Sequence, residues 1–150
     1  MAAQAWKVYN RAIRKMGAGT IALPGAVRCA LVTSASNFAT NTLSLFGSVT
    51  SQVTEANGYS SSGKALATEA WTAGTSAGQI KFDAADPIWT ATGGTIPNIK
   101  AAVLFMSGAS AGACHALAYA SLTSTQFTLA SGNTLTLQFN SSGIFTVARA

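Results

Sequence analysis

Residues 134–148 read TLTLQFNSSGIFTVA, and the alternation in that stretch decides the fold class. Leu135, Leu137 and Phe139 fall on one side of an extended chain, and Phe145 and Val147 resume the apolar side after a polar turn. A loop of Ser141, Ser142 and Gly143 places Phe139 opposite Phe145 and Leu137 opposite Val147. The last loop position asks for a positive φ, which glycine adopts without steric cost. Pattern and turn chemistry together predict a closing β-hairpin.

The same reading extends upstream. Residues 26–33, AVRCALVT, set Val27, Cys29 and Leu31 against Arg28, Ala30 and Val32, which predicts a strand buried on both faces for most of its length. Further strands are expected near residues 64–72, 78–82, 88–92, 96–106, 113–122, 126–129, 134–139 and 144–148. Gly93-Gly94, Ser107-Gly108, Ser131-Gly132 and Ser142-Gly143 punctuate them. Ile88 and Trp89 follow a turn at Asp86-Pro87, and Trp89 is expected in the core. From 34 to 63 the chain is rich in Ser, Thr and Asn, and Leu43, Leu45, Phe46 and Val49 predict one short helix there. A connection of that length either carries local structure or binds something.

Before Pro24 the period changes. Trp6, Tyr9, Ile13 and Met16 recur at helical spacing, while Lys7, Arg11, Arg14 and Lys15 fall largely on the opposite side. Gly17 and Gly19 are expected to end this helix. With no strand–helix alternation behind it, the pattern predicts an all-β chain, a jelly-roll-like β-sandwich of about eight or nine short strands with one N-terminal amphipathic helix. A length of 150 residues fits one domain, with a basic helix or arm over 1–25 and the sandwich over 26–150.

Charge is scarce and lopsided. Only 9% of residues are charged, against about 25% in ordinary soluble domains. Ala, Ser, Thr and Gly take their place, giving a neutral surface suited to a chain packed against neighbours. Lys7, Arg11, Arg14, Lys15 and Arg28 occur in the first 28 residues without an acid, so that segment carries the whole net charge of +5. Lys64, Lys81, Lys100 and Arg149 balance Glu55, Glu69, Asp83 and Asp86 in the rest. A basic end on a neutral body implies a partner of negative potential. The body lacks a basic, aromatic-lined groove, so an acidic protein surface is expected rather than nucleic acid. No apolar h-region marks the N-terminal stretch as a secretory signal, and the longest strongly apolar run, 101–106, is far too short to span a membrane. Cytoplasmic synthesis makes Cys29 and Cys114 two buried thiols rather than a disulfide.

Few residues offer chemistry. The pattern G-x-S-x-G occurs at Gly74-Thr75-Ser76-Ala77-Gly78 and at Gly108-Ala109-Ser110-Ala111-Gly112, with Asp83 or Asp86 and then His115 following Ser76. That motif works on a strand–turn–helix inside a doubly wound sheet, whereas both copies fall in Ser/Gly turns between expected strands. His115 is the sole histidine and follows Cys114, so the two point to opposite faces of a strand and do not share a metal. Asp83 and Asp86 flank a turn before Pro87, ordinary turn chemistry. The expectation is no enzyme, no catalytic residue, no cofactor and no metal.

Four segments carry a resemblance. KVYNRAIRKMGAGTIALPGAVRCALVTS, VTEANGYSSSGKALAT, GQIKFDAADPIWTATGGTIPNIKAAVLFMS and NTLTLQFNSSGIFTVA, in that order, resemble the small head or virion structural proteins of tailed phages. The departure is the Ala/Gly-rich stretch GASAGACHALAYAS, where that family has a more polar loop. The resemblance implies a capsid decoration or cement protein, made in the host cytoplasm and placed on the capsid surface of the virion. Its implied partners are the major capsid protein and further copies of itself, as a dimer or trimer. The basic face of the expected N-terminal helix supplies the candidate partner-binding residues Lys7, Arg11, Arg14 and Lys15. Two other readings stay open: a phage tail or head–tail component, and a carbohydrate-binding β-sandwich presenting Trp71, Trp89 or Tyr59 on its exterior.

Overall fold

A computed structural model of the chain describes residues 3–108 and 113–148. Its centre is an antiparallel sheet of five strands in the order β1 (Lys7–Val8), β9 (His115–Ser121), β8 (Ala101–Met106), β2 (Val27–Val32) and β3 (Lys64–Ala65). The middle strands are buried on both faces, as the continuous apolar runs of β2 and β8 demand. Alanines 101, 102, 116, 118 and 120 keep these faces thin enough for other segments to cover them closely. Tyr59 seals one place on β2: its hydroxyl accepts from Leu31 N at 3.0 Å and donates to Leu31 O at 3.1 Å. Burial pushes the pKa of that phenol up to about 12, so it stays a donor at neutral pH.

Three smaller antiparallel sheets complete the sandwich-like, all-β body. One has the order β12 (Phe145–Ala148), β5 (Gln79–Asp83) and β4 (Ala70–Ala73). Another pairs β6 (Ile88–Thr90) with β11 (Thr134–Thr136), and the last pairs β7 (Ile96–Ile99) with β10 (Phe127–Leu129). A single hydrophobic cluster runs through these sheets from Tyr9 to Phe145. A helix, α1 (Asn10–Gly17), packs on β9.

Twelve strands are present among the described residues, more than the sequence suggests. The expected strand over 64–72 is two strands because Thr68 turns the chain with a φ of +51°. A left-handed backbone is rare for a β-branched residue, so no local pattern announces it. The expected strand over 96–106 is also two, with Asn98 at φ +60° inside β7 sending that strand to β10 while β8 joins β2. The third extra strand is β1, which occupies residues read as helix.

The closing hairpin is not formed. The turn exists, with Gly143 at φ +102° and its N–H donating to Asn140 O at 2.8 Å. Its arms diverge: β11 pairs with β6, setting Leu135 opposite Trp89, and β12 pairs with β5, setting Phe145 opposite Phe82. Phe139 leans on Trp6, with ring centroids 5.7 Å apart. Alternation placed Leu135, Leu137 and Phe145 inside, but Val147, expected beside them, is 46% exposed, and the pattern contained nothing about the strands' partners.

In the 34–63 connection the expected helix is a single 3-10 turn, Phe46–Ser48. Phe46 stacks on Phe105 with ring centroids 3.7 Å apart, and Asn37 accepts from Thr50 N at 2.9 Å and donates to Ser48 O at 3.0 Å. The connection is therefore held by contacts within itself and to β8 and β9. Cys29 is buried, Cys114 is half-buried, and no disulfide joins them. Burial of Cys29 raises its thiol pKa and keeps it protonated.

Candidate partner-binding surface

The helix is shorter than the sequence pattern and turned on its axis. The chain stays extended through Lys7 and Val8 to pair with Tyr119 and Ala118 of β9, so α1 begins only at Asn10. Tyr9, fully buried, anchors this junction and donates its hydroxyl to Phe38 O at 2.7 Å. Ala12 and Met16 then continue toward the core, and the small Ala12 lets the helix approach β9 closely. Ile13, expected on the buried face, is 54% exposed.

Of the four candidate cations, three meet on one face. Arg11, Arg14 and Lys15 line a concavity of about 250 Å³ together with Ala18. Lys7 does not line it, because it belongs to β1 rather than to the helix. Arg14 and Lys15 lie in the last helical turn, where cations complement the helix dipole. Gly19, with a φ of +72°, then donates to Met16 O at 3.1 Å and ends the helix, as its position in the sequence suggested.

The five cations of the first 28 residues are not equally available. Arg28 is held by the carbonyls of Ser62 and Gly63, each at 2.7 Å. Lys15 donates to Nδ1 of His115 at 2.8 Å, a contact between residues 100 positions apart that no sequence signal reveals. Arg11 and Arg14 are exposed and make no ion pair or hydrogen bond among the described residues. They are the open charges of the surface.

Burial first, and the adjacent Lys15 ammonium second, hold the His115 pKa below its usual value. The neutral ring is what allows Nδ1 to accept from Lys15. As pH falls through about 6.5 the unfolded chain takes up this proton before the folded one, so the histidine leaves stability intact above that pH and subtracts from it below. Melting curves from about pH 8 to pH 5 are therefore expected to show the wild type losing stability relative to His115→Gln. Glutamine still accepts from Lys15 but cannot titrate. Parallel curves for the two proteins would contradict the contact.

Of the other candidate groups, Asp83 and Asp86 are held in structural contacts. Ser76 is exposed in the loop between β4 and β5, where its carbonyl accepts from Gln79 N at 3.1 Å, and no helix follows it. Ser110 lies outside the described residues. Asp83 pairs with Lys81 at 3.2 Å, and Asp86 accepts from Phe139 N at 2.8 Å. Among the described residues no three His, Cys, Asp or Glu side chains gather closely enough to hold a metal ion. Of the three aromatic side chains that could form a sugar platform, Trp89 and Tyr59 are each only 3% exposed. Trp71 is half-buried against Phe82 and Phe145. A larger concavity, about 410 Å³, is lined by Phe46, Phe105, Gln52, Cys114 and the already bonded Arg28.

In comparisons with family models, curated proteins and solved structures, the chain matches none.

Proposed function

We infer that this chain is a non-enzymatic virion structural protein of a tailed phage, a decoration or cement protein binding across neighbouring major capsid subunits. The observation that carries the reading is the placement of charge. The whole net charge of +5 lies in residues 1–28, and Arg11 and Arg14 face solvent beside Lys15 on a body that is otherwise neutral. Like charges on adjacent helical turns repel in the free protein, and an acidic capsid surface relieves that repulsion while gaining Coulomb energy. Repetition over a lattice turns small contacts into avidity, because separating two subunits then also breaks the contacts of the bridging chain. The resemblance of the four quoted segments to phage head proteins supplies the virion context.

Electron-microscopy density of the intact particle tests the placement. The expected density lies on the outer capsid surface, bridges adjacent capsid subunits and sets α1 toward them. Density confined to the tail or to the head–tail junction would replace this reading with that alternative.

A further inference from the structure

The acidic side chains of this chain are all committed away from α1. Glu55 accepts from Ser61 N at 2.9 Å, and Glu69 accepts from Gly25 N and Val27 N at 2.9 Å each. Asp83 pairs with Lys81, and Asp86 accepts from Phe139 N. The sequence contains only these 4, so none is left to neutralise Arg11, Arg14 and Lys15. The concavity gathers those three charges on one place. Positions 11, 14, 15 and 18 follow one helical face, and Ala18 closes the space of about 250 Å³ with only a methyl group.

Lys15 is held differently from the two arginines. Its ammonium rests on a neutral acceptor, His115 Nδ1, at 2.8 Å. The surroundings of that ring offer no counter-charge. From α1 it meets Lys15, with Arg11 and Arg14 on the same helical face. From β8 Met106 stands opposite it, and Ser44 and Leu45 run beside its strand. None of these last three titrates, and Cys114, next in the chain, lines the other concavity. The same cations that await an anion therefore hold the histidine neutral.

We propose that this concavity holds a carboxylate of an acidic protein partner and that filling it draws a proton from solvent onto His115, so that the partner is bound more tightly as pH falls. The proposal rests on the reading of α1 as the face that meets an acidic partner, and adds how that face is regulated. Two effects act in one direction. An imidazolium has N–H on both nitrogens and no longer accepts, which frees the Lys15 ammonium to turn into the concavity. Its new charge then lies near a carboxylate rather than near uncompensated cations alone. By linkage, the proton favours the carboxylate by the same factor as the carboxylate favours the proton. The carboxylate itself stays ionised, because such groups titrate near pH ~4.

Titrating a polyglutamate peptide into the full chain at constant ionic strength, from about pH 8 to about pH 5.5, tests the coupling. Wild type is expected to bind at least about fivefold more tightly at the lower end. His115→Gln, which accepts from Lys15 but takes up no proton, is expected to bind with a dissociation constant that stays level across the range. One readout needs no variant. The ring resonances of the sole histidine report its titration by NMR, and their midpoint is expected to move to higher pH when peptide saturates the chain. Equal pH dependence in wild type and His115→Gln, or a midpoint indifferent to peptide, overturns the coupling while leaving α1 as the face for an acidic partner. Peptide that fails to bind at any pH, or that binds the Arg11→Ala, Arg14→Ala double variant as tightly as wild type, overturns the proposal together with the reading beneath it.

Discussion

Trp89→Ala is expected to lower stability by about 3–5 kcal/mol, the largest effect of any single substitution argued for this chain. Trp89 is 3% exposed at the centre of β6, directly opposite Leu135 of β11, which is 4% exposed. A buried indole covers on the order of 200 Å², and removing it opens a cavity that flanking strands of three residues each close poorly. The strand supplies its own control. Ile88, one residue earlier, points to the other face and is 46% exposed, so Ile88→Ala is expected to change stability by less than about 0.5 kcal/mol. Chemical denaturation of both variants measures the contrast. An unchanged midpoint for Trp89→Ala, together with loss of sugar or partner binding, would make Trp89 a surface contact and return the carbohydrate reading.

What was legible in the sequence follows from what each signal encodes. Apolar runs mark burial, and β2, β8 and β9 lie where those runs predicted, in the middle of the largest sheet. Alternation marks faces, so Leu135 and Phe145 were correctly assigned to the interior while Val147 was not, and the turn before Ile88 and Trp89 pointed to the buried Trp89. Partners are a different quantity. The residues of β11 and β12 are separated by one turn, yet they pair with β6 and β5, because partner choice depends on packing over the whole chain. Helical spacing at Trp6, Tyr9, Ile13 and Met16 was real but incomplete. Backbone pairing of Lys7 and Val8 with β9 overrode its first turn, and Ala12 rather than Ile13 took the buried position.

The surface was legible to the same degree. Spacing brought Arg11, Arg14 and Lys15 to one face, since positions three and four apart are neighbours on a helix. It misplaced Lys7, whose segment is extended. His115 was readable as a strand residue, but its bond to Lys15 crosses 100 positions and appears only when α1 is laid on β9.

Reversing charge at Arg11, Arg14 and Lys15 is expected to abolish capsid decoration while leaving the fold intact. Arg11 and Arg14 are exposed and Lys15 is only half-buried, so their substitution removes little packing. Each exposed ion pair contributes only about 0.2–1 kcal/mol. Three per chain, repeated over a lattice of bridging contacts, still decide occupancy, and acidic replacements add repulsion from the same capsid groups. The decisive measurement is the number of bound copies per particle, for the wild type and the charge-reversed chain, across a salt series. The account predicts near-full wild-type occupancy at low salt, falling as screening shortens the Debye length toward about 3 Å at 1 M, and an empty particle with the variant throughout. Equal, salt-independent occupancy by the two proteins would contradict it and move attachment to the neutral Ser/Thr-rich loops.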